Sequence, residues 1–434
     1  MDHKRRTFLK GVGAVSASML MPMSFSMRSA NAAAAVPGNK KLIVLNMHGG
    51  NDGLNLAIPT EASQYSLYQG YRPSIGIPMA DLLPVGQDAS GMDFGLHPSM
   101  AALQPHFDKL AVFPATHSAL GTYPHNRSHF YQMDIFGAGK TGEDPFVSDG
   151  KGWVGRYYDN RYPGLAPGIV GQDFTSAAHG TFNGNTFLLQ MASPNNVDLG
   201  ANSTAVSDAI WDDIKDISTA DPASYAGRFG NKQHVFFDDV LGRLGGVDFN
   251  RITNATYPTG VGTKFRYAAA MLLAIPELEV LHISIGGFDT HRNQGLGVNA
   301  VNGTEQQPRI LKNWADAIAA LYDDLSVADP TLRANTVVTV QTEFGRTIKE
   351  NGDKGTDHGN ASCWMAFGDA VQGGVYGSYP GLEAANLNGG NWLRPTIDYR
   401  DIFSEVLGSH LGYTDPNSPF PGYTGAPNPY GFII

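Results

Sequence analysis

Four short apolar runs, each giving way at its carboxyl end to a polar loop, constrain this chain more than any other feature. Lys41–Met47 is followed by His48-Gly49-Gly50-Asn51-Asp52-Gly53. Leu110–Ala115 leads to a loop holding His125-Asn126-Arg127-Ser128-His129. Leu278–Ile285 ends in Gly286-Gly287-Phe288-Asp289-Thr290-His291, and Thr336–Gln341 in Thr342-Glu343-Phe344-Gly345-Arg346. A continuous apolar run bounded by turn residues reads as a strand covered on both faces. Cys363–Phe367 reads as a fifth. Helical spacing of apolar residues predicts helices over Pro98–Asp108, Ser128–Phe136, Lys232–Leu244, Phe265–Ile275, Pro308–Leu325 and Tyr399–Leu411. Strands alternating with helices predict a doubly wound, mostly parallel α/β sheet. The span from about 140 to 260 is less regular and reads as a loop-rich cap or insertion. The tail from Asp415 to Ile434, rich in Pro, Gly and Tyr, reads as an extended arm.

In open parallel sheets, ligands bind beyond the carboxyl ends of the strands, so polar residues there carry the functional argument. Asp52, Asp289, His291, Glu343, Asp357 and His358 supply carboxylates and imidazoles, the ligand set of a divalent metal such as zinc, manganese or calcium. The same residues could instead form a buried polar network that fixes the loops. Ser128 is either the N-cap of a helix or a nucleophile at a helix N-terminus, where N–H groups and dipole favour an anionic ester. Arg127 and Arg346 could clamp that anion through paired hydrogen bonds. Ser128, His129 and Arg346 form the candidate catalytic group. No Gly-x-Ser-x-Gly elbow follows a strand, and dinucleotide and P-loop fingerprints are absent.

Composition removes other classes. Lys plus Arg number 30 against 40 Asp plus Glu, a net charge of −10, so the chain lacks the footprint of a nucleic-acid or anionic-membrane binder. Its one cysteine, Cys363, excludes an intramolecular disulfide. The N-terminus carries Arg5-Arg6-Thr7-Phe8-Leu9-Lys10, an apolar run from Gly11 to about Phe25, and Ala30-Asn31-Ala32. This is the layout of an export signal over residues 1–32, its paired arginines pointing to the twin-arginine export machinery. The run is shorter than the roughly 20 residues that span a bilayer. Residues 33–434 are then expected as one exported domain, periplasmic or extracellular, with no stable membrane span once the signal is cleaved.

Together these motifs resemble the family of twin-arginine-exported proteins called domain of unknown function 1501. The likeness rests on Gly49-Gly50-Asn51-Asp52-Gly53, Arg127-Ser128-His129-Phe130, Gly152-Trp153-Val154-Gly155-Arg156, Gly286-Gly287-Phe288-Asp289-Thr290-His291, Glu343-Phe344-Gly345-Arg346 and Gly355-Thr356-Asp357-His358-Gly359. The family is thought to be related to the alkaline phosphatase and sulfatase superfamily. That relation implies an alkaline phosphatase-like core with Asp52 as a first-strand ligand and Ser128 as the nucleophile. It also exposes departures. Asn293 stands where the histidine of an Asp-x-x-x-His pair belongs, and Glu343-Phe344-Gly345 replaces Asp-His-Gly. Asp357-His358 is either a displaced pair or the downstream histidine of the mutase branch. Two functions follow. One is a metal-dependent hydrolase of small-molecule or polymer-borne phosphate or sulfate esters. The alternative is a non-catalytic relative that binds a surface polysaccharide or a partner protein, with Trp153, Tyr157, Tyr158 and Tyr162 on offer.

Overall fold

The run Lys41–Met47 is buried along its whole length, as a strand with both faces covered must be. The computed structural model describes residues 38–118, 126–141, 150–163, 165, 171–174, 180–186, 188–190, 216, 244–251, 253–426 and 429–434. The expected N-terminal signal, His125 and the expected helix from Lys232 as far as Arg243 lie outside the described residues. The main sheet is built from β1 (Lys41–Met47), β2 (Leu110–His117), β3 (Gly171–Asp173), β4 (Leu189–Gln190), β5 (Val280–Ile285), β6 (Thr336–Gln341), β7 (Ser362–Phe367), β8 (Gly374–Val375) and β9 (Ile397–Asp398). Their order is β8-β2-β7-β6-β1-β5-β3-β4, with β9 also paired to β2. All pairings are parallel except those of β7, which runs antiparallel to β2 and β6.

The helices that matter here are α1 (Ala62–Tyr71), α2 (His129–Ala138), α3 (Trp153–Arg161), α4 (Val261–Ala274), α5 (Gln306–Ala328) and α6 (Tyr399–Glu405). Alternation along each strand sends side chains to opposite faces. Ile43, Leu45, Leu281, Ile283, Val338 and Val340 join Phe265, Met271, Trp314 and Leu321 of α4 and α5 in one core. Leu42, Val44, Val280 and Val337 meet Trp153 and Tyr157 of α3, Phe403 of α6, and Phe420 and Phe432 of the tail in the other. The sheet is therefore doubly wound. The described part of the span from 140 to 260 is woven into it, since β3 and β4 extend its edge and α3 covers one face. Trp153, Tyr157, Tyr158 and Tyr162 are buried packing residues, so these four do not present an aromatic surface to a polysaccharide. The tail is not extended throughout: it folds through successive turns between Asp415 and Tyr423, and its end is held by three 3.0 Å hydrogen bonds from Tyr430, Gly431 and Ile433 to the Glu405 carboxylate.

Two helices differ from expectation. Pro98–Lys109 is a 3-10 segment with Pro105 inside and His106 out of helical geometry. Proline lacks the N–H and collides with the preceding turn, which breaks the α-helix that the apolar spacing alone suggests. Tyr399–Leu411 is α-helical only to Glu405 and then widens into a π turn over Val406–His410. Among the described residues no helix is long and apolar enough to cross a membrane.

Two buried imidazoles set an acid limit on stability. His97 accepts a 3.0 Å bond from the Ser99 N–H, and burial pushes its pKa down to about 3. His410 donates through Nε2 to the Lys41 carbonyl at 3.0 Å, and burial brings it to about 4. Both lie below the ordinary 6.5. The unfolded chain therefore takes up protons that the folded one refuses, and stability falls as pH drops from about 6.5 toward 4. Changing both to glutamine is expected to remove about two protons from the uptake on unfolding near pH 5. Urea midpoints measured across that range check this; an unchanged slope refutes it.

Candidate metal centre

The loops after β1, β5 and β6 are knitted to one another. Phe288 N–H donates to the His48 carbonyl at 3.2 Å, Thr356 N–H to that of Thr290 at 3.1 Å, and Gly345 and Gly359 bind across the last loop. Gly49, at φ +114°, lets the loop after β1 lie against the loop after β5, since a Cβ there would sit 2.4 Å from the Asp289 nitrogen. Gly50, at φ +66°, leaves room for the Phe344 ring in the same way. Arg346 completes the weave. It is buried, and its guanidinium donates to the carbonyls of Gly49, Gly50 (2.6 Å), Thr356 (3.1 Å) and Phe288 (3.1 Å) and to Asp289 Oδ1 (2.7 Å). It clamps the loops and does not reach out to an anion.

Three imidazoles converge on Asp289, and each is anchored at the nitrogen that points away. His129 Nδ1 meets Glu343 Oε1 at 2.7 Å, His358 Nδ1 meets the Arg127 carbonyl at 2.8 Å, and His291 Nδ1 meets Asp357 Oδ1 at 3.0 Å. Oxygen acceptors of this kind hold the proton on Nδ1, so each neutral ring turns an Nε2 lone pair inward. Those Nε2 atoms lie 3.4 Å (His129), 3.0 Å (His291) and 3.2 Å (His358) from Asp289 Oδ1. The His291 and His358 Nε2 atoms are 3.0 Å apart. His129 Nε2 is buried and has no hydrogen-bond partner. Donors on a tetrahedral zinc, at bond lengths of about 2.0–2.1 Å, are separated by about 3.3–3.4 Å.

The electrostatics favour a cation in that position. For Asp289, burial opposes the charge, but the hydrogen bond and charge of Arg346, with His291 and His129, prevail and hold its pKa at about 2. Glu343 is fully buried, which also opposes ionisation. The His129 ring and the N–H groups of Glu343 itself and Gly49 nevertheless bring its pKa below the ordinary value. Burial, with the charges of Arg346 and His129, lowers His358 against the pull of the Arg127 carbonyl and Asp289, which favours its neutral form. A cation between the His291 and His358 Nε2 atoms, 3.0 Å apart beside Asp289, would relieve the repulsion of their lone pairs. Protonating all three would instead crowd three imidazoliums and a guanidinium around one oxygen. Three nitrogens and one oxygen suit zinc, whereas calcium and magnesium take oxygen shells. Asp289 and His291 are 48% and 43% exposed, so a ligand can approach from solvent.

The expected residues separate into three groups. Asp289, His291 and His358 come together, and His129, expected as catalytic, joins them as a donor. The donor atoms of His129, Asp289 and His358 all lie within 4.8 Å of one another, and His291 stands outside that mutual group, next to Asp289 and His358 at 3.0 Å each. Glu343 and Asp357 stand behind the cluster, where they orient rings. Such outer carboxylates fix the tautomer and raise ligand basicity. Asp52 is elsewhere. Its two oxygens pair with Arg72 at 2.7 and 2.9 Å, and Gln294 donates to it at 2.6 Å, all fully buried. Ser128 is the N-cap residue of α2, one position before His129, exposed and without a side-chain cap bond. Sequence reasoning missed Arg72 and Gln294, and it missed Trp392. The Trp392 ring lies 4.1 Å beneath the Arg127 guanidinium, and its Nε1–H donates to the His358 carbonyl at 3.1 Å.

Fold and cluster together define a doubly wound α/β protein with a candidate metal centre, among the described residues, at the carboxyl ends of its strands. The chain belongs to the family described as "Protein of unknown function (DUF1501)", which matches it over residues 173–421. That span holds Asp289, His291, Glu343, Arg346, Asp357 and His358, while Asp52, Ser128 and His129 precede it. No curated protein matches the chain. Among solved structures it is similar to alkaline phosphatase from the Antarctic bacterium TAB5, at 10% identity and a TM-score of 0.30, over 79% of this chain and 95% of that one. It is also similar to Ps i-CgsB, at 11% identity and a TM-score of 0.35, over 89% and 73%. A third is Ps i-CgsB in complex with k-i-k-neocarrahexaose, at 9% identity and a TM-score of 0.36, over 88% and 74%.

Proposed function

We propose that the chain is an exported, metal-dependent hydrolase of phosphate or sulfate esters. The observation that carries this reading is the set of three histidines, each anchored at Nδ1, that turn Nε2 toward Asp289 Oδ1. His129, Asp289, His291 and His358 would hold one zinc-like ion. Bound there, such an ion lowers the pKa of a hydroxyl or water and stabilises charge developing on an ester oxygen. Glu343, Asp357 and the Arg127 carbonyl keep the three Nδ1 protons in place. Arg346 holds Asp289 toward the rings. Ser128 offers an exposed hydroxyl at the N-terminus of α2, where the helix end favours negative charge. His129 does not serve as a base in this scheme, because both of its nitrogens are committed.

The paired arginines Arg5 and Arg6 support twin-arginine export, with removal of residues 1–32. One experiment tests both parts. The protein is purified from the exported fraction without added metal, its intact mass is measured, and its metal content is determined by elemental analysis. Hydrolysis of p-nitrophenyl phosphate and p-nitrophenyl sulfate is then compared with that of Ser128→Ala. The expected outcome is a mass that begins near residue 33, about one zinc per chain, and loss of turnover by orders of magnitude in the variant with metal retained. An intact N-terminus would sink the export reading. Folded protein that holds no metal and cannot be reconstituted, or that turns over neither ester, would sink the hydrolase.

A further inference from the structure

The cations around the centre are unequally engaged. All three guanidinium nitrogens of Arg346 donate to protein oxygens. Arg72 donates to Asp52, Asn55, Thr347 and Ile348, fully buried. Arg292 and Lys354 sit on exposed loop positions. Arg127 differs from all of these. It is half-buried, its NH1 is buried without a hydrogen-bond partner among the described residues, and its guanidinium carbon lies 4.1 Å from the centroid of the Trp392 ring. A buried donor without an acceptor destabilises a fold. Stability therefore gives no reason for this placement, whereas an incoming acceptor does.

The arm is also built into the centre. The Arg127 carbonyl takes the His358 Nδ1 proton at 2.8 Å, and Trp392 Nε1–H donates to the His358 carbonyl at 3.1 Å. Arginine, tryptophan and histidine thus hold one another from three sides, and the guanidinium keeps a fixed place relative to the inward Nε2. Arg127 also immediately precedes Ser128. A guanidinium beside an aromatic ring keeps its N–H groups as a planar fork suited to two oxygens of a tetrahedral oxyanion, and the unpartnered NH1 belongs to that fork.

We propose that Arg127, stacked on Trp392, is the residue that takes the phosphate or sulfate group of the ligand, in place of Arg346. The proposal rests on the ester-hydrolase reading above and names the arm that selects an oxyanion. Inorganic phosphate and inorganic sulfate serve as probes in parallel calorimetric titrations of the zinc-loaded and the metal-free protein, each as wild type, Arg127→Gln and Arg127→Lys. Zinc affinity is measured separately for each variant. The Arg127→Gln change is expected to weaken anion binding about 10- to 100-fold, the worth of a hydrogen bond to a charged group. Zinc affinity should be unchanged, because the bond to His358 comes from the backbone carbonyl. Lysine should rescue only in part, since it lacks the planar fork. The larger effect in the phosphate or the sulfate titration identifies the ester. Undiminished anion binding by Arg127→Gln overturns the proposal. So does a wild-type protein that binds zinc but neither anion, a result that leaves the metal centre standing. If the wild type binds no zinc, yet Arg127→Gln loses anion binding in metal-free protein, the arm stands and the hydrolase reading falls.

Discussion

Alanine in place of His358 is expected to weaken zinc binding by more than about 100-fold while the fold persists. Removing an outer partner of a metal-bound histidine typically costs 10–100-fold in affinity, and loss of a ligand must exceed that. A graded series follows. Glu343→Gln keeps an oxygen that can accept the His129 Nδ1 proton but removes the negative charge, so its loss should fall within about 10–100-fold. His129→Ala and His291→Ala should resemble His358→Ala. The bonds that tie residue 358 to its surroundings include one made by its carbonyl to Trp392, so alanine preserves that link and the variant should stay folded. Zinc affinity should also fall as pH drops, since the rings must be neutral to bind while Asp289, held at about 2, remains ionised. Competition with a chelator, with thermal unfolding of the same samples, measures both effects. Equal zinc affinity in wild type and His358→Ala would remove His358 from the centre.

Much of the fold was legible because burial leaves a simple trace. A strand covered on both faces must be apolar throughout, and Leu42–Leu45, Leu281 with Ile283, and Val337–Val340 are in large part just that. Strand direction leaves no such trace. Nothing in Ser362–Phe367 marks it as antiparallel to its neighbours. The candidate centre was legible as a place, since polar residues directly after apolar strands are driven to one edge of the sheet. The roles within it were not. A carboxylate reads the same in sequence whether it faces the inward Nε2 atoms of three rings, as Asp289 does, or the far nitrogen of a histidine, as Glu343 and Asp357 do. His129 and Arg346 were assigned to catalysis on type alone. Only the direction of their hydrogen bonds shows that one ring points Nε2 into the cluster and that the guanidinium faces carbonyls. Pairings across the fold, such as Arg127 with Trp392, have no local spacing to betray them.

Asp52 is the sharpest case, and it carries the largest expected loss of stability. As a strand-end acid it reads as a ligand, yet its partner is Arg72, at the carboxyl end of α1 and fully buried with it. Arg72 also donates to Asn55 Oδ1 at 2.6 Å, to the Ile348 carbonyl at 2.8 Å and to the Thr347 carbonyl at 2.9 Å. Gln294 closes the network by donating to Asp52 and accepting from Thr290 and Thr356 at 2.9 and 2.7 Å. Arg72→Met strips the buried Asp52 carboxylate of its counter-charge, leaving it only the Gln294 donor, leaves Asn55 Oδ1 only the Tyr68 hydroxyl, and removes the guanidinium donor from the carbonyls of Thr347 and Ile348. Breaking a buried pair from one side costs about 3–5 kcal/mol, whereas replacing both partners by apolar groups can approach neutrality. Arg72→Met alone should therefore lose about 3–5 kcal/mol in urea unfolding. Adding Asp52→Leu should recover part of that loss, because the stranded charge goes with it. Asp52→Asn then separates a structural role from a ligand role: it should lower stability while leaving zinc affinity unchanged. A loss of zinc affinity on the scale of His358→Ala, with little change in stability, would restore Asp52 to the centre. A cost below about 1 kcal/mol for Arg72→Met would show that water reaches the pair, as it does for surface ion pairs.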